Sequence, residues 1–201
     1  QIEEKLRGNP IAMQIPVGKS DEFNAIIDVL TKKMATFDPE GHVTWHDVPA
    51  EFVDQTDELY EKAVERACDF DDVMAERYLD GKEIALEDIK KAIRKGVLEQ
   101  KVTPVFCGAA FKNKGVQQLL DAVLEFLPSP LDIPPVEGIN PDTEEKELRK
   151  AEDSEPFCAL AFKIMIDPFV GSLTFIRVYS GKLESGSYVQ RYQRQKIFVQ
   201  L

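Results

Sequence analysis

The chain has 201 residues, 43% hydrophobic and 30% charged, which is enough to bury a core in one or two domains. Its 36 acidic and 25 basic residues give a formal net charge of −11, which disfavours unaided binding to nucleic acid and favours either basic partners or simple solubility. The three cysteines have no CxxC spacing, so we expect reduced thiols of a cytoplasmic protein and no disulfide framework or zinc site. The sequence contains no run of about 18 apolar residues and no signal-peptide pattern, and so predicts no membrane span.

The first region, residues 11–48, contains three short stretches rich in β-branched and aromatic residues. They read IAMQIPVG, EFNAIIDVL and HVTWHDV, and they are interrupted by turn signals such as Gly18 and DPEG. Short alternating stretches bounded by glycine and proline are typical of strands. This region therefore predicts a small sheet.

Helical patterns follow the predicted sheet. Two helices are predicted at about 50–78 and 84–100, and the stretch VTPVFCG then predicts a strand. A further helix is predicted at about 115–127, where apolar residues recur at helical spacing: Val116, Leu119, Leu120, Val123 and Leu127. This order of elements predicts an α/β domain.

The rest of the chain changes character twice. Prolines in LPSPLDIPPVEG favour an extended chain, and the charged residues that follow predict a mobile linker over 131–155. From Pro156, the stretches FCALAFKIMID, SLTFIRVYSG and GSYVQ alternate with glycine turns. They predict the opening hairpins of a β-barrel or sandwich.

The predicted helix at 50–78 has two distinct faces. Steps of three and four residues place these side chains on a face that packs on the sheet: Val53, Thr56, Tyr60, Ala63, Ala67, Phe70 and Met74. A neighbouring acidic stripe follows the same spacing: Asp54, Glu58, Glu61, Glu65, Asp69, Asp72 and Glu76. The stripe is either a solvated face or a docking surface for a basic partner.

Catalytic and metal signals are weak. His42 and His46 fall on one side of a predicted strand without a third ligand, so we do not expect a metal site. Cys107 is at a strand end, but neither histidine is placed to activate it, and a buried thiol is the simpler interpretation. The sequence names no catalytic constellation.

The stretch PVFCGAAFKNKG, residues 104–115, passes from strand to small-residue turn to helix. In α/β nucleotide-binding folds, this order places a ligand site at the carboxyl end of a strand. Small side chains let backbone N–H groups approach a ligand carbonyl. An ordinary strand-to-helix connection is the alternative interpretation.

Three stretches of the sequence carry a resemblance to a known family. CGAAFKNKGVQQLLDAVLEFLPSP is very similar to the fifth guanine-nucleotide motif of the elongation factor G family of bacterial translation, usually Gly-Ser-Ala-Phe-Lys-Asn-Lys-Gly. RGNPIAMQIPVG resembles the start of that family's insert in the GTPase domain. EPFCALAFKIMIDPFVGSLTFIRVYSGKLESGSYV resembles the start of its second domain, a β-barrel. The resemblance covers almost the whole chain in the same order.

The resemblance implies a fold and a domain organisation. The fold is α/β, the C-terminal part of a P-loop GTPase domain with its α+β insert, followed by the first strands of a translation-factor β-barrel. The expected ranges are 1–130 for the GTPase part, with the insert at about 10–100, then 131–155 for the linker and 156–201 for the partial barrel. The chain is then a fragment of a longer protein.

The resemblance also implies a function, namely a GTPase that promotes translocation of transfer RNA and messenger RNA through the ribosome. Ala110 would offer its backbone N–H to the guanine carbonyl of GTP or GDP, with the turn shaped by Gly108, Ala109, Phe111 and Lys112. The family usually has serine where this chain has Ala109, so a supporting hydroxyl is lost. The family's insert helix is thought to meet the ribosomal stalk protein, which favours docking by Glu65, Asp69, Asp72 and Glu76.

Other parts of a GTPase are expected elsewhere. The chain has no GxxxxGK[ST] loop, no DxxG of a magnesium-linked switch and no NKxD motif, which in the family would lie upstream of Gln1 together with the Mg²⁺ ligands. We therefore expect this segment alone to be inactive in GTP hydrolysis. Near the other end, Arg191, Arg194 and Lys196 form a basic patch that either contacts ribosomal RNA or is a solvated loop.

Two alternatives stay open at this point. Within the same architecture, the chain could belong to a ribosome-recycling, drug-resistance or release-factor paralogue. From another class, it could be a non-catalytic module that docks on the ribosomal stalk without nucleotide. In each case the expected partner is the ribosome, and the protein is expected to be a monomer away from it.

Overall fold

A computed structural model describes residues 1–38, 40–140, 143–191 and 199–200. The chain divides into two units, Gln1–Leu127 and Pro128–Leu201. Together they form a mixed α/β protein with several small sheets. Among the described residues, no helix combines the length and the apolar character needed to cross a membrane.

The first unit begins with a short helix and a small antiparallel sheet. Helix α1 (Ile2–Leu6) leads to strand β1 (Pro10–Ala12), and the sheet then contains β2 (Gln14–Val17), β3 (Ala25–Asp28), β4 (Lys33–Phe37) and β5 (Val43–Asp47) in that order. The three stretches expected to form strands do so. Strand β4 was not predicted, because its sequence, KMATF, has no run of β-branched residues.

Helices pack against this sheet and against one another. Helix α2 (Ala50–Cys68) contributes half-buried Phe52, Leu59 and Tyr60 to a cluster around Ile15, Ile27 and Val29 of the sheet. Helix α4 (Leu86–Leu98) adds fully buried Ile89 and Ile93 to a second, larger cluster. Of the predicted buried face, Thr56, Ala63, Ala67, Phe70 and Met74 are buried, Tyr60 is half-buried and Val53 is exposed.

The prediction of one helix over 50–78 is wrong. Helix α2 ends at Cys68, and a separate helix, α3 (Asp72–Leu79), follows. Asp71 is the N-cap of α3, and its carboxylate accepts the Met74 N–H at 2.9 Å. Aspartate competes for backbone N–H groups in this way and so favours a helix start over a helix interior. The predicted acidic stripe is therefore divided between two helices.

The first unit closes with a parallel strand pair and a helix. Strand β6 (Thr103–Val105) pairs in parallel with β1, and α5 (Val116–Phe126) follows it. The predicted apolar face of α5 is largely exposed, at Leu119, Leu120, Val123 and Leu127, whereas Ala122 and Phe126 are buried. Helical spacing finds an apolar face but does not say what covers it, and Ala122 and Phe126 join the cluster that also contains α4.

Among its described residues, the second unit contains a short 3-10 helix (Pro130–Asp132) and two β-sheets. A hairpin of β7 (Val136–Ile139) and β8 (Lys146–Arg149) lies within the region for which the sequence predicts a linker. A second sheet has the order β10-β9-β12-β11, built from β9 (Cys158–Asp167), β10 (Gly171–Ser180), β11 (Gln190–Arg191) and β12 (Val199–Gln200). The first two strands predicted after Pro156 are present. Of the strand predicted at GSYVQ only the last residue, Gln190, is in a strand, where it begins β11, since residues 186–189 form a turn and irregular chain.

Candidate functional site

The turn between β6 and α5 brings together the five residues that the resemblance assigns to guanine binding. Strand β6 ends at Val105, and Ala110–Lys112 form a single 3-10 turn. Asn113 (φ 51°) and Gly115 (φ 80°) are both in the left-handed region, which reverses the chain before α5 starts. Asparagine and glycine are the residues best suited to that conformation. The site is thus built at the carboxyl end of a parallel strand.

Backbone hydrogen bonds close the turn. The Ala109 N–H donates to the Lys114 carbonyl at 2.9 Å, and the Lys114 N–H donates back to the Ala109 carbonyl at 3.2 Å. Gly108 lies against this closure, since a Cβ added there would stand 3.0 Å from the Lys114 carbonyl oxygen. The turn is therefore held by its own backbone, without a hydroxyl at position 109.

The outer side of the turn is accessible. Ala110 is exposed, and its N–H has no hydrogen-bond partner within the described part of the chain. The adjacent Phe111 ring is fully exposed. A free N–H beside an exposed aromatic ring can bind a planar ligand that presents a carbonyl oxygen, because the ring stacks while the N–H donates.

Polar side chains fasten the turn to the antiparallel sheet of the first unit. The Lys114 ammonium donates to the Phe23 carbonyl at 2.6 Å, and Lys112 forms an ion pair with Asp21 at 2.8 Å. The pKa of Asp21 is held below its usual value, mainly by the hydrogen bond from Lys112 and secondly by the positive charge of that lysine. These contacts were not predicted from the sequence, although the run Lys112-Asn113-Lys114 was the available signal.

The same fastening continues on the next loop of the sheet. The Asn113 side-chain amide donates to the Glu40 carbonyl at 3.2 Å, and the Gln117 amide donates to the Gly41 carbonyl at 3.0 Å. A Cβ added at Gly41 would stand 2.1 Å from the Asn113 side-chain nitrogen. Asn113 therefore packs directly on the glycine backbone.

Cys107 lies just before the turn and is half-buried. Its N–H donates to the Gln14 side-chain carbonyl at 3.1 Å. Burial raises the pKa of the Cys107 thiol to about 11, so almost no thiolate is present near neutral pH. These observations support the interpretation of Cys107 as a structural thiol.

Both histidines have local hydrogen-bond partners. His46 Nε2 lies 2.9 Å from the Thr36 hydroxyl, and His42 Nδ1 lies 2.8 Å from an Asp38 carboxylate oxygen. Asp38, Glu40 and His42 each place one potential metal-ligand atom within 4.8 Å of the others, but all three are exposed. Their mutual hydrogen bonding accounts for this arrangement.

The acidic residues proposed for docking lie on the α2–α3 surface. Glu65, Asp69, Asp72 and Glu76 are all exposed, and within the described ranges none of them forms an ion pair with a basic side chain. By contrast, Glu58 is paired with Lys62 at 2.5 Å. Unpaired carboxylates keep their full charge available to a partner.

A groove of about 990 Å³ lies between α1, β1 and α2. Glu65 and Asp69 line it together with basic Lys62 and Arg66, so its charge is mixed. The groove does not include the 108–112 turn. Of the predicted basic patch, Arg194 and Lys196 lie outside the described residues, as does the side chain of Arg191.

Comparison with known proteins shows the fold alone. No family model matches the sequence. The chain is similar to a crystal structure of a protein from Thermus thermophilus, with a TM-score of 0.74, 24% sequence identity and 99% of this chain covered. The chain spans about 30% of the length of that protein.

Proposed function

We propose that this chain is part of a translational GTPase that promotes ribosomal translocation, and that the 108–112 turn binds guanine. The observation that carries the proposal is the unpartnered Ala110 N–H, presented at the carboxyl end of a parallel strand in the motif CGAAFKNKG. Crevices at the carboxyl ends of parallel strands are where open α/β sheets bind ligands.

The chemistry of the turn suits guanine better than adenine. Guanine has a carbonyl oxygen, O6, where adenine has an amino group. The Ala110 N–H can donate to O6 but would face another donor in adenine. When adenine binds, the Ala110 N–H loses its contact with water and finds no acceptor on the base. This unpaired donor disfavours adenine relative to guanine. In the proposal, the exposed Phe111 ring packs against the flat nucleotide.

The parallel pair of β1 and β6 fits a larger nucleotide-binding sheet. Parallel sheets are normally covered on both faces, whereas this sheet has two strands and leaves Leu120 and Leu124 of α5 exposed. In the proposal, a phosphate-binding loop and Mg²⁺ ligands come from sequence before Gln1, where the bound Mg²⁺ would neutralise phosphate charge. Asp38 and Gly41 have the spacing of DxxG, but they follow the antiparallel strand β4, so we do not assign them to the magnesium-linked switch.

The second part of the proposal concerns the ribosome. Glu65, Asp69, Asp72 and Glu76 would dock a basic surface of the large-subunit stalk protein. Exposed carboxylates without ion-pair partners support this assignment, because complementary charge accelerates encounter and orients the partner. The same surface would serve a non-catalytic docking module, so nucleotide binding is the property that separates the two functions.

Replacing Ala110 by proline tests guanine binding. Proline removes the N–H but suits the first position of a helical turn, and the preceding Ala109 already has extended φ (−130°). In the protein expressed from the whole gene, we expect Ala110→Pro to weaken GDP binding about tenfold, since one hydrogen bond is lost. Isothermal titration calorimetry measures the affinity.

Ala110→Ser is the matched control, because it keeps the N–H and should bind GDP like the wild type. ADP should bind both proteins far more weakly than GDP does. Equal GDP affinity in Ala110→Pro and Ala110→Ser would refute the assigned contact. Absence of guanine nucleotide binding by the wild-type protein would refute the GTPase and leave the docking module.

A further inference from the structure

The 108–114 turn is fastened to two loops of the antiparallel sheet. One loop, between β2 and β3, supplies the Phe23 carbonyl and the Asp21 carboxylate. The other, between β4 and β5, supplies the Glu40 and Gly41 carbonyls. In all four contacts the turn or the start of α5 supplies the donor, and the sheet loops supply the acceptor. The donors are Lys112, Asn113, Lys114 and Gln117.

Packing reinforces the hydrogen bonds. A Cβ added at Gly115 would stand 2.7 Å from Cδ1 of Ile26, a residue of β3 that is only 1% exposed. The turn therefore contacts the sheet through its backbone as well as through its side chains. Residues without a Cβ are found where two backbones must approach this closely.

The conformation that presents Ala110 needs such support. Asn113 at φ 51° is in the left-handed region, which asparagine tolerates better than most residues, but ordering each loop residue still costs about 1–2 kcal/mol of conformational entropy. Two backbone hydrogen bonds between Ala109 and Lys114 close the turn. Their net contribution to stability is small, because the same groups form hydrogen bonds with water when the turn opens.

We propose that Asn113 and Lys114 are positioning residues, which hold the turn against the sheet so that the Ala110 N–H is fixed toward the guanine carbonyl. This inference rests on the proposed function. Neither side chain needs to touch the nucleotide. Lys114 carries the larger share, because it is half-buried and its ammonium donates to a backbone carbonyl, whereas the Lys112–Asp21 pair is exposed and screened by solvent.

Three variants separate these contributions. Lys114→Met keeps the length of the side chain but removes the ammonium, and Lys114→Arg restores a donor. Asn113→Gly keeps the left-handed backbone accessible and removes the side-chain amide that donates to the Glu40 carbonyl and packs on Gly41. Lys33→Met is the matched control, since it makes the same chemical change at an exposed ion pair with Asp47 that lies away from the turn.

Amide hydrogen exchange of the 201-residue chain reports on the turn without nucleotide. We expect Lys114→Met to accelerate exchange of the Ala109 and Lys114 amides about tenfold, in line with the loss of one charge-assisted hydrogen bond. Asn113→Gly should accelerate it less, Lys114→Arg should restore slow exchange, and Lys33→Met should change it little. Unchanged exchange in both Lys114→Met and Asn113→Gly would overturn the positioning role.

Nucleotide affinity in the protein expressed from the whole gene completes the test. GDP affinity should fall severalfold in Lys114→Met and recover in Lys114→Arg, without a change in the melting temperature of the rest of the protein. If wild-type protein binds GDP and Lys114→Met binds it equally well, the positioning role fails while the proposed function stands. If the wild type binds no guanine nucleotide, both fail.

Discussion

At the scale of single residues, the candidate site depends on backbone conformation more than on reactive side chains. Ala110 contributes a backbone N–H, and Asn113 and Gly115 adopt the left-handed conformation that reverses the chain. Burial raises the pKa of the Cys107 thiol, so this side chain is unreactive near neutral pH. The sequence predicted the strand, turn and helix, since a cluster of glycine and alanine between two apolar segments indicates a turn. It did not predict the fastening of Lys114 to Phe23, because contacts between residues 91 positions apart leave no local pattern.

The first prediction concerns Gly115. Gly115→Ala should destabilise the protein by about 2–3 kcal/mol, because it adds a strained φ and also forces a Cβ against Ile26 and the Cys107 carbonyl. Gly81→Ala is the control: its φ of 69° is similarly strained, but a Cβ there would meet nothing within 4 Å. Urea denaturation measures both free energies of unfolding. Equal losses for the two variants would show that the turn does not pack tightly on the sheet.

At the scale of elements, the structure differs from the sequence-based expectation where capping or tertiary packing outweighs the periodicity of the sequence. The pattern over 50–78 is helical throughout, yet the Asp71 carboxylate starts a new helix by accepting the Met74 N–H. In α5, the apolar spacing was real but only Ala122 and Phe126 are buried. Periodicity fixes which residues share a face, whereas capping and the presence of a covering element depend on the tertiary structure.

The second prediction concerns the break between α2 and α3. Asp71→Ala should lower the free energy of unfolding by about 1 kcal/mol, because the Met74 N–H loses its N-cap acceptor. Asp69→Ala removes an acid two residues earlier that accepts no cap hydrogen bond among the described contacts, so it should have little effect. Thermal denaturation of both variants provides the comparison. A larger loss for Asp69→Ala would argue against the capping interaction.

At the scale of the whole molecule, the net charge of −11 includes the exposed acids of α2 and α3, which we propose as the docking surface. Composition was compatible with basic partners or with simple solubility, and it named no place of contact. The helical spacing predicted the acidic stripe, and the family resemblance led to the four residues proposed for docking. The break at residues 69–71 changes the expected shape of the surface from one continuous stripe to acidic groups on two consecutive helices.

The third prediction concerns this surface. Glu65→Lys, Asp69→Lys and Glu76→Lys together should weaken binding to the C-terminal domain of the stalk protein by about tenfold or more, and wild-type binding should weaken with added salt. Asp72 is left unchanged because an acid in the first turn stabilises α3. The control combines Glu145→Lys, Glu152→Lys and Glu184→Lys, which change the net charge equally at exposed acids of the second unit. Equal loss of binding in both triple variants would exclude a specific docking surface.

The central claim is that the 108–112 turn completes the guanine site of a GTPase. Sequencing the native gene upstream of the codon for Gln1 tests it most directly, because phosphate and guanine recognition need motifs that this chain does not contain. If the turn completes such a site, we expect an NKxD motif upstream of Gln1 and a GxxxxGK[ST] loop further upstream in the same reading frame. A reading frame that opens without either motif would contradict it.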